Sequence, residues 1–313
     1  MTTSLPRPAR SSSWTRSLRE RPVAAGVAGA LVIAFSAILV RLAEVTPETA
    51  AVFRCVYALP VLGALAVLER RRFGPRPARE RRLGLVAGVL FAGDLVFWHH
   101  AIDDLGAGLA TVLGNLQVVL VAFLAWLLLG ERPSPRIAVA VPVVVGGAVL
   151  ISGVLEQDAY GDQPVRGVVF GVLTTLAYAG FLLVLRQTNT DDRRPAGPLF
   201  DATLSAAVVA AVAGALYGAT DLVPSWPGHG WLVVLALSSQ VVGWLLISIS
   251  LPRLPAALTS LLLLIQPVTS VALGALILDE RPSVLQVTGV AVILAGVVYA
   301  ARQSRRVPDV VGT

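Results

Sequence analysis

Part of this 313-residue chain repeats after an interval of 149 residues. Gln117 aligns without a gap on Gln266, and Gly130-Glu131-Arg132-Pro133-Ser134 aligns on Asp279-Glu280-Arg281-Pro282-Ser283. Gly147 falls on Gly296 in the same register. Leucine coincidences such as Leu124 with Leu273 mean little in so apolar a chain, but Gln and Glu-Arg-Pro-Ser are uncommon in it and mark a duplication. A duplicated apolar unit predicts a fold made of two structural repeats, the construction used by many transporters.

Composition says where such a fold must live. With 56% hydrophobic residues, 14% charged and a mean hydropathy of +0.76, the chain is no ordinary soluble domain. A helix needs about 20 apolar residues to cross a bilayer. Ten runs qualify: 23–43, 49–68, 83–101, 106–128, 137–154, 167–186, 198–217, 230–250, 256–278 and 284–301. Lipid offers no partner for free backbone groups, so each run is predicted to be helical, and membrane helices tolerate the 28 Gly and 20 Pro. Residues 1–22 form a basic lead and 302–313 a tail. No small-residue cleavage site follows the first run, which reads as a retained anchor.

A pI near 10.4 in a soluble fold would suggest nucleic acid, but the arginines are segregated. All 25 basic residues are Arg, and 21 of them gather on one side of the ten predicted spans. They lie in the lead, in the Arg70–Arg82 loop, in the turns holding Arg132, Arg136, Arg186, Arg193, Arg194 and Arg253, and in the tail. Arg166 and Arg281 lie on the other side, while Arg41 and Arg54 sit inside or at the edge of spans. The positive-inside rule then puts both termini in the cytoplasm and the chain in the cytoplasmic (inner) membrane. The basic charge reports topology, and no nucleic-acid partner is expected. The lone cysteine, Cys55, allows no internal disulfide.

The spans divide into two sets of five, 23–154 and 167–301, joined by a short polar linker. Five is odd, so the second set enters from the opposite face. The expected fold is all-α: ten transmembrane helices as two inverted five-helix repeats, with a substrate cavity near the midplane where they meet.

At this point the chain resembles the EamA-type proteins of the drug/metabolite transporter superfamily. The resemblance rests on the Arg54-centred second span, the small-residue fourth and ninth spans, the leucine-rich lead into Gly130-Glu131-Arg132-Pro133, and Gln266-Pro267 followed by Asp279-Glu280. It covers about residues 23 to 301 and implies a ten-helix carrier of small organic metabolites, often working outward. The first half departs from the pattern. Gln117-Val118-Val119 stands where that helix usually carries a proline, which argues against a kinked fourth helix.

Polar groups deep in hydrocarbon are costly unless paired or facing water, so each is a site candidate. Asp94 lies mid-span with Trp98 one turn away on the same face. His99, about 140° further round, is either a proton-responsive group or a helix-end residue facing headgroups. Asn115 and Gln117 lie in span four, Gln240 and Trp244 repeat the polar-plus-Trp spacing in span eight, and Gln266 is central to span nine. The functional reading gathers them around a cavity with tryptophan walls, Asp94 and the amides supplying hydrogen bonds. The bland reading makes the amides interhelical glue. Arg54 is expected to face the cavity or to pair with an acid such as Glu48 or Asp104. Glu131 and Glu280 read as turn residues at helix starts.

An enzyme is the main rival, yet no metal-binding, nucleophile-elbow or P-loop motif occurs. A sensor or scaffold would ordinarily carry a soluble output domain. The sequence therefore predicts a carrier of a small-molecule substrate, with protons as an optional co-substrate and no cofactor. Oligomeric state stays open, a homodimer included.

Overall fold

In a computed structural model, every regular element among the described residues is a helix; those residues are 21–117, 119–120, 135–188, 193–217, 220–250, 253–254 and 262–301. Glu131, the first Glu-Arg-Pro-Ser turn and parts of predicted spans four and nine lie outside them. In the first half, α1 (Pro22–Ala34) and α2 (Ser36–Ala43) form one interrupted span, followed by α3 (Pro47–Phe73), α4 (Ala78–Leu105), α5 (Ala107–Gly114) and α6 (Pro135–Ile151). The second half contains α7 (Pro164–Thr188), α8 (Ala196–Tyr217), α9 (Gly228–Leu235), a π-helical stretch Ala236–Gly243, α10 (Trp244–Ser250), α11 (Ile265–Ile277) and α12 (Val284–Ala301).

Among the described residues, six segments are long and apolar enough to cross a membrane: Pro22–Ala43, Pro47–Phe73, Ala78–Leu105, Pro164–Leu185, Ala196–Leu216 and Gly228–Ser250. Ala138–Ile151, Ile265–Ile277 and Val284–Ala300 are shorter apolar helices. Many large side chains on these helices face outward, Leu276 being 81% exposed and Leu216 80%. A soluble protein would bury such residues; here they form the lipid-facing surface.

Helix ends follow local chemistry. At α3, Thr46 accepts the Thr49 amide at 3.3 Å, Pro47 sits in the first turn where no amide partner is needed, and Arg70, Arg71 and Arg72 close the last turn. Gly106 alone joins α4 to α5, at φ +87°, and a Cβ there would stand 2.7 Å from Glu280 Oε1. Only glycine meets both demands. Gly88 lets α4 lie against α8, since a Cβ would reach within 2.3 Å of the Ala202 carbonyl.

The packing partners are unchanged when the halves are exchanged. α4 packs on α7, and the α9–α10 span packs on the α1–α2 span, which is the same pairing with the halves swapped. α3 packs on α8, α5 on α11, and α6 on α12, each helix against its own counterpart. The duplication seen in the sequence is thus also a rule of assembly.

The argument against a break in span four needs correcting. Regular helix stops after Gly114 and resumes at Gln117, through a turn at Asn115 and Leu116. In span nine the interruption falls at Leu264, the counterpart of Asn115 in the 149-residue register, just before Gln266-Pro267. Asn115 Nδ2 donates to the Thr111 carbonyl at 2.9 Å, a side-chain contact with the backbone at the break. The interruption needs no proline.

Candidate functional site

Between the halves lies a cavity of about 80 Å³. Its walls come from both: Ile33 and Ser36 at the α1–α2 break, Arg54 on α3, Phe91, Asp94 and Trp98 on α4, Asn115 and Gln117 beyond α5, Thr174 and Tyr178 on α7, Trp244 on α10, and Gln266 on α11. Two backbone irregularities meet here. Ser36 Oγ donates to the Ile33 carbonyl at 2.6 Å where α1 gives way to α2, and the π-helical stretch packs on α1, with Ser239 Oγ donating to the Val32 carbonyl at 3.2 Å. π-Helical turns and broken spans concentrate where membrane proteins bind solutes, because irregular backbone is tolerated there only beside protein or a cavity.

Seven of the nine residues singled out from sequence line this cavity: Arg54, Asp94, Trp98, Asn115, Gln117, Trp244 and Gln266. Gln240 and His99 do not. Gln240 is wholly buried behind the wall; its Oε1 accepts from Arg54 Nη2 at 3.2 Å and its Nε2 donates to Thr203 Oγ1 at 3.1 Å. His99 is also fully buried, with Nδ1 3.0 Å from the Pro47 carbonyl. It faces neither headgroups nor the cavity.

The expected acid partners of Arg54 are taken elsewhere. Glu48 Oε1 is 2.9 Å from His100 Nε2, and Asp104 receives Arg166 through two bonds of 2.8 and 2.5 Å. Arg54 is 3% exposed, yet its Nε and Nη1 are buried without a hydrogen-bond partner. Its guanidinium lies over the Trp98 ring, 5.9 Å from the centroid. Asp94 faces the same cavity and shares its electrostatic field, but the two form no direct ion pair. Opposite charges buried on one cavity without touching leave room between them for a polar guest. Gln117 Oε1 is buried without a hydrogen-bond partner, although the Gln117 side chain lies beside Tyr178.

The aromatic wall is ordered. Trp244 meets Phe91, Phe181 and Tyr178 edge-on at centroid distances of 5.9, 5.5 and 6.1 Å. Tyr178, Thr174 and Ser36 were missed from sequence. Thr174 and Tyr178 are four apart on one face of an otherwise apolar span, the same signal that drew attention to Asp94 and Trp98, so they were legible. Ser36 was not, because a serine in a membrane helix usually bonds its own backbone.

Away from the cavity the halves are tied by polar contacts. Glu280 reaches across the interface: its carboxylate accepts the Ala107 amide at 2.5 Å and the Gly108 amide at 3.1 Å. It therefore caps α5, and its role extends beyond the helix start it precedes. Burial lifts its carboxyl above the ordinary range, against the opposing pull of the two amides. Gln286 links the second half to the linker, accepting the Tyr160 amide at 2.9 Å and donating to its carbonyl at 2.9 Å.

A multi-pass helical protein whose two matching halves enclose a polar cavity belongs, as a class, with membrane transporters. The chain belongs to the EamA-like transporter family, which it matches over residues 21–153 and again over 165–302. Among solved structures, it is similar to one described only as "Crystal structure of protein", with a TM-score of 0.61 and 18% identity over 91% of this chain and 99% of that one. That likeness concerns the fold alone. No curated protein sequence matches the chain.

Proposed function

We propose that this protein is a secondary carrier that moves a small organic metabolite or drug across the cytoplasmic membrane, outward, by alternating access. Ten spans in two inverted sets, with both termini in the cytoplasm, would let the halves rock about the midplane cavity and open it to each side in turn. The observation that carries this reading is the cavity itself. Both halves wall it, and it holds Arg54 with two unmatched donors opposite Asp94.

The wall suits a solute with hydrogen-bonding groups of both signs and an apolar part. Arg54 would take the electronegative end, Asp94 and the amides the donor end, and Trp98, Trp244 and Phe91 the remainder. Asp94 is also the group through which a proton could be exchanged for solute. A ligand drives the conformational cycle only as far as it binds one state better than the other, so these groups should contact solute unequally in the two states. A membrane enzyme or a scaffold would give no reason for a charged cavity walled by both repeats.

The test has two parts. Metabolites in culture medium are compared with and without the gene, and the solutes that change are then assayed in proteoliposomes at imposed pH gradients. Flux that requires Asp94 and Arg54 supports the reading. Protein that inserts correctly but moves none of those solutes under any gradient overturns it.

A further inference from the structure

A second cavity, larger than the first, lies where α3, α4 and α8 meet at the arginine-rich end of α3. It encloses about 290 Å³. Gly63, Ala66 and Val67 line it about two to three turns before the end of α3, facing Phe200 on α8, and Val67 is half exposed towards the surrounding lipid. Charged groups line the other end. Both of its acids are already engaged: Glu69 accepts the Ala196 and Gly197 amides at 2.9 and 2.8 Å, and Asp201 holds Arg76. Arg194 bonds the Phe73 and Gly74 carbonyls.

Positive charge is left over. Arg70 and Arg81 line the cavity, are exposed, and make no ion pair among the described residues. Arg76 Nη1 is buried without a partner. The cavity thus has unmatched guanidinium groups at its mouth and an apolar slot running towards hydrocarbon. Guanidinium groups bind phosphate oxygens through short, charge-assisted hydrogen bonds, and basic pockets between membrane helices hold anionic headgroups.

We propose that this slot binds an anionic phospholipid, its phosphodiester at Arg70, Arg76 and Arg81 and an acyl chain along Val67 and Phe200. The site straddles the halves, because α3 and α4 belong to the first and α8 to the second. A lipid seated there would bridge the seam across which the halves must move.

The test uses purified full-length protein in neutral detergent, titrated with phosphatidylglycerol or phosphatidylcholine and followed by native mass spectrometry and thermal unfolding. Phosphatidylglycerol should bind more tightly, and the Arg70→Gln/Arg81→Gln variant should lose roughly thirtyfold in affinity, two surface arginines' worth. Both side chains are exposed, so the variant should fold. Arg72→Gln/Arg79→Gln, whose residues lie outside the slot, should keep the preference. Equal binding of the two lipids, or equal loss in both double variants, would overturn the proposal in favour of general surface charge. Inorganic phosphate that reproduces the stabilisation and displaces the lipid would overturn the lipid as occupant.

Discussion

Glu280, in the turn that opens the last helix, caps the first turn of a helix in the other half, its carboxylate 2.5 Å from the Ala107 amide. The contact sits beside Gly106, where any side chain would collide with that carboxylate. Removing the cap leaves two buried amides unsatisfied, at about 1–3 kcal/mol each. Glu280→Ala should therefore lower unfolding stability in detergent by their sum. Glu280→Gln, which keeps one acceptor oxygen, should recover part of it. A fully stable Glu280→Ala protein would mean that the amides find other partners and that the cap does not tie the halves.

Gln240 does not line the cavity but accepts a hydrogen bond from Arg54, which makes it a candidate positioning residue. Gln240→Leu should raise KM more than it lowers the maximal rate, because the guanidinium loses its one side-chain acceptor among the described residues and swings from its place over Trp98. Losing a hydrogen bond to a buried charge costs about 1.5–3 kcal/mol, or roughly tenfold to a hundredfold in affinity. Gln240→Glu separates position from charge. It should hold Arg54 in place yet weaken solute binding by neutralising it. If both variants bind and move solute as wild type does, Arg54 does not depend on Gln240.

The helical fold and its two-fold plan were legible because lipid leaves few choices. Long apolar runs must be helices, and Gln117 with Gln266 fixes the register of the repeat. Asp94 and Trp98 were legible for the same reason, a carboxylate mid-membrane being too costly to be incidental. The partner of Arg54 was not. Glu48 and Asp104 are close in the first half, but pairing is decided by how the halves dock, and docking brings a residue 186 positions away. His99 was misplaced because periodicity gives the angle between residues on one helix, not what lies opposite. The break at Asn115 was hidden because proline is the familiar signal and an asparagine side chain bonding its own backbone is not.

Asp94 is the acid on the cavity wall, so its charge should matter more than its volume. Asp94→Asn should insert and fold normally while flux falls by roughly a hundredfold, the scale expected when a buried charge loses its role. Asp94→Glu should retain measurable flux. Wild-type rates from vesicles containing the Asn variant would remove this residue from the mechanism.

Trp98 and Trp244 share a wall but should respond differently. Trp98 is partly exposed to the cavity beneath Arg54, whereas Trp244 is 6% exposed and wedged among Phe91, Phe181 and Tyr178. Trp98→Leu should weaken solute binding with little change in unfolding temperature. Trp244→Leu should lower both, since the edge-on ring contacts each contribute about 0.5–1.5 kcal/mol. Unchanged solute affinity in both would discard the aromatic wall.

The proposed inverted arrangement makes a prediction about sides. Cys55 is the only cysteine and is fully buried, so Cys55→Ala gives a clean background for single reporter cysteines. Five spans per half, as proposed, would place positions 79 and 136 on the same face of the membrane and position 281 on the other. The arginine count assigns the first two to the cytoplasm. In intact cells an impermeant maleimide should label Arg281→Cys within minutes and label Arg79→Cys and Arg136→Cys only after lysis. Labelling of all three from outside, or of position 136 without position 79, would mean that the halves do not enter from opposite faces. The rocking mechanism built on that symmetry would then have to be abandoned.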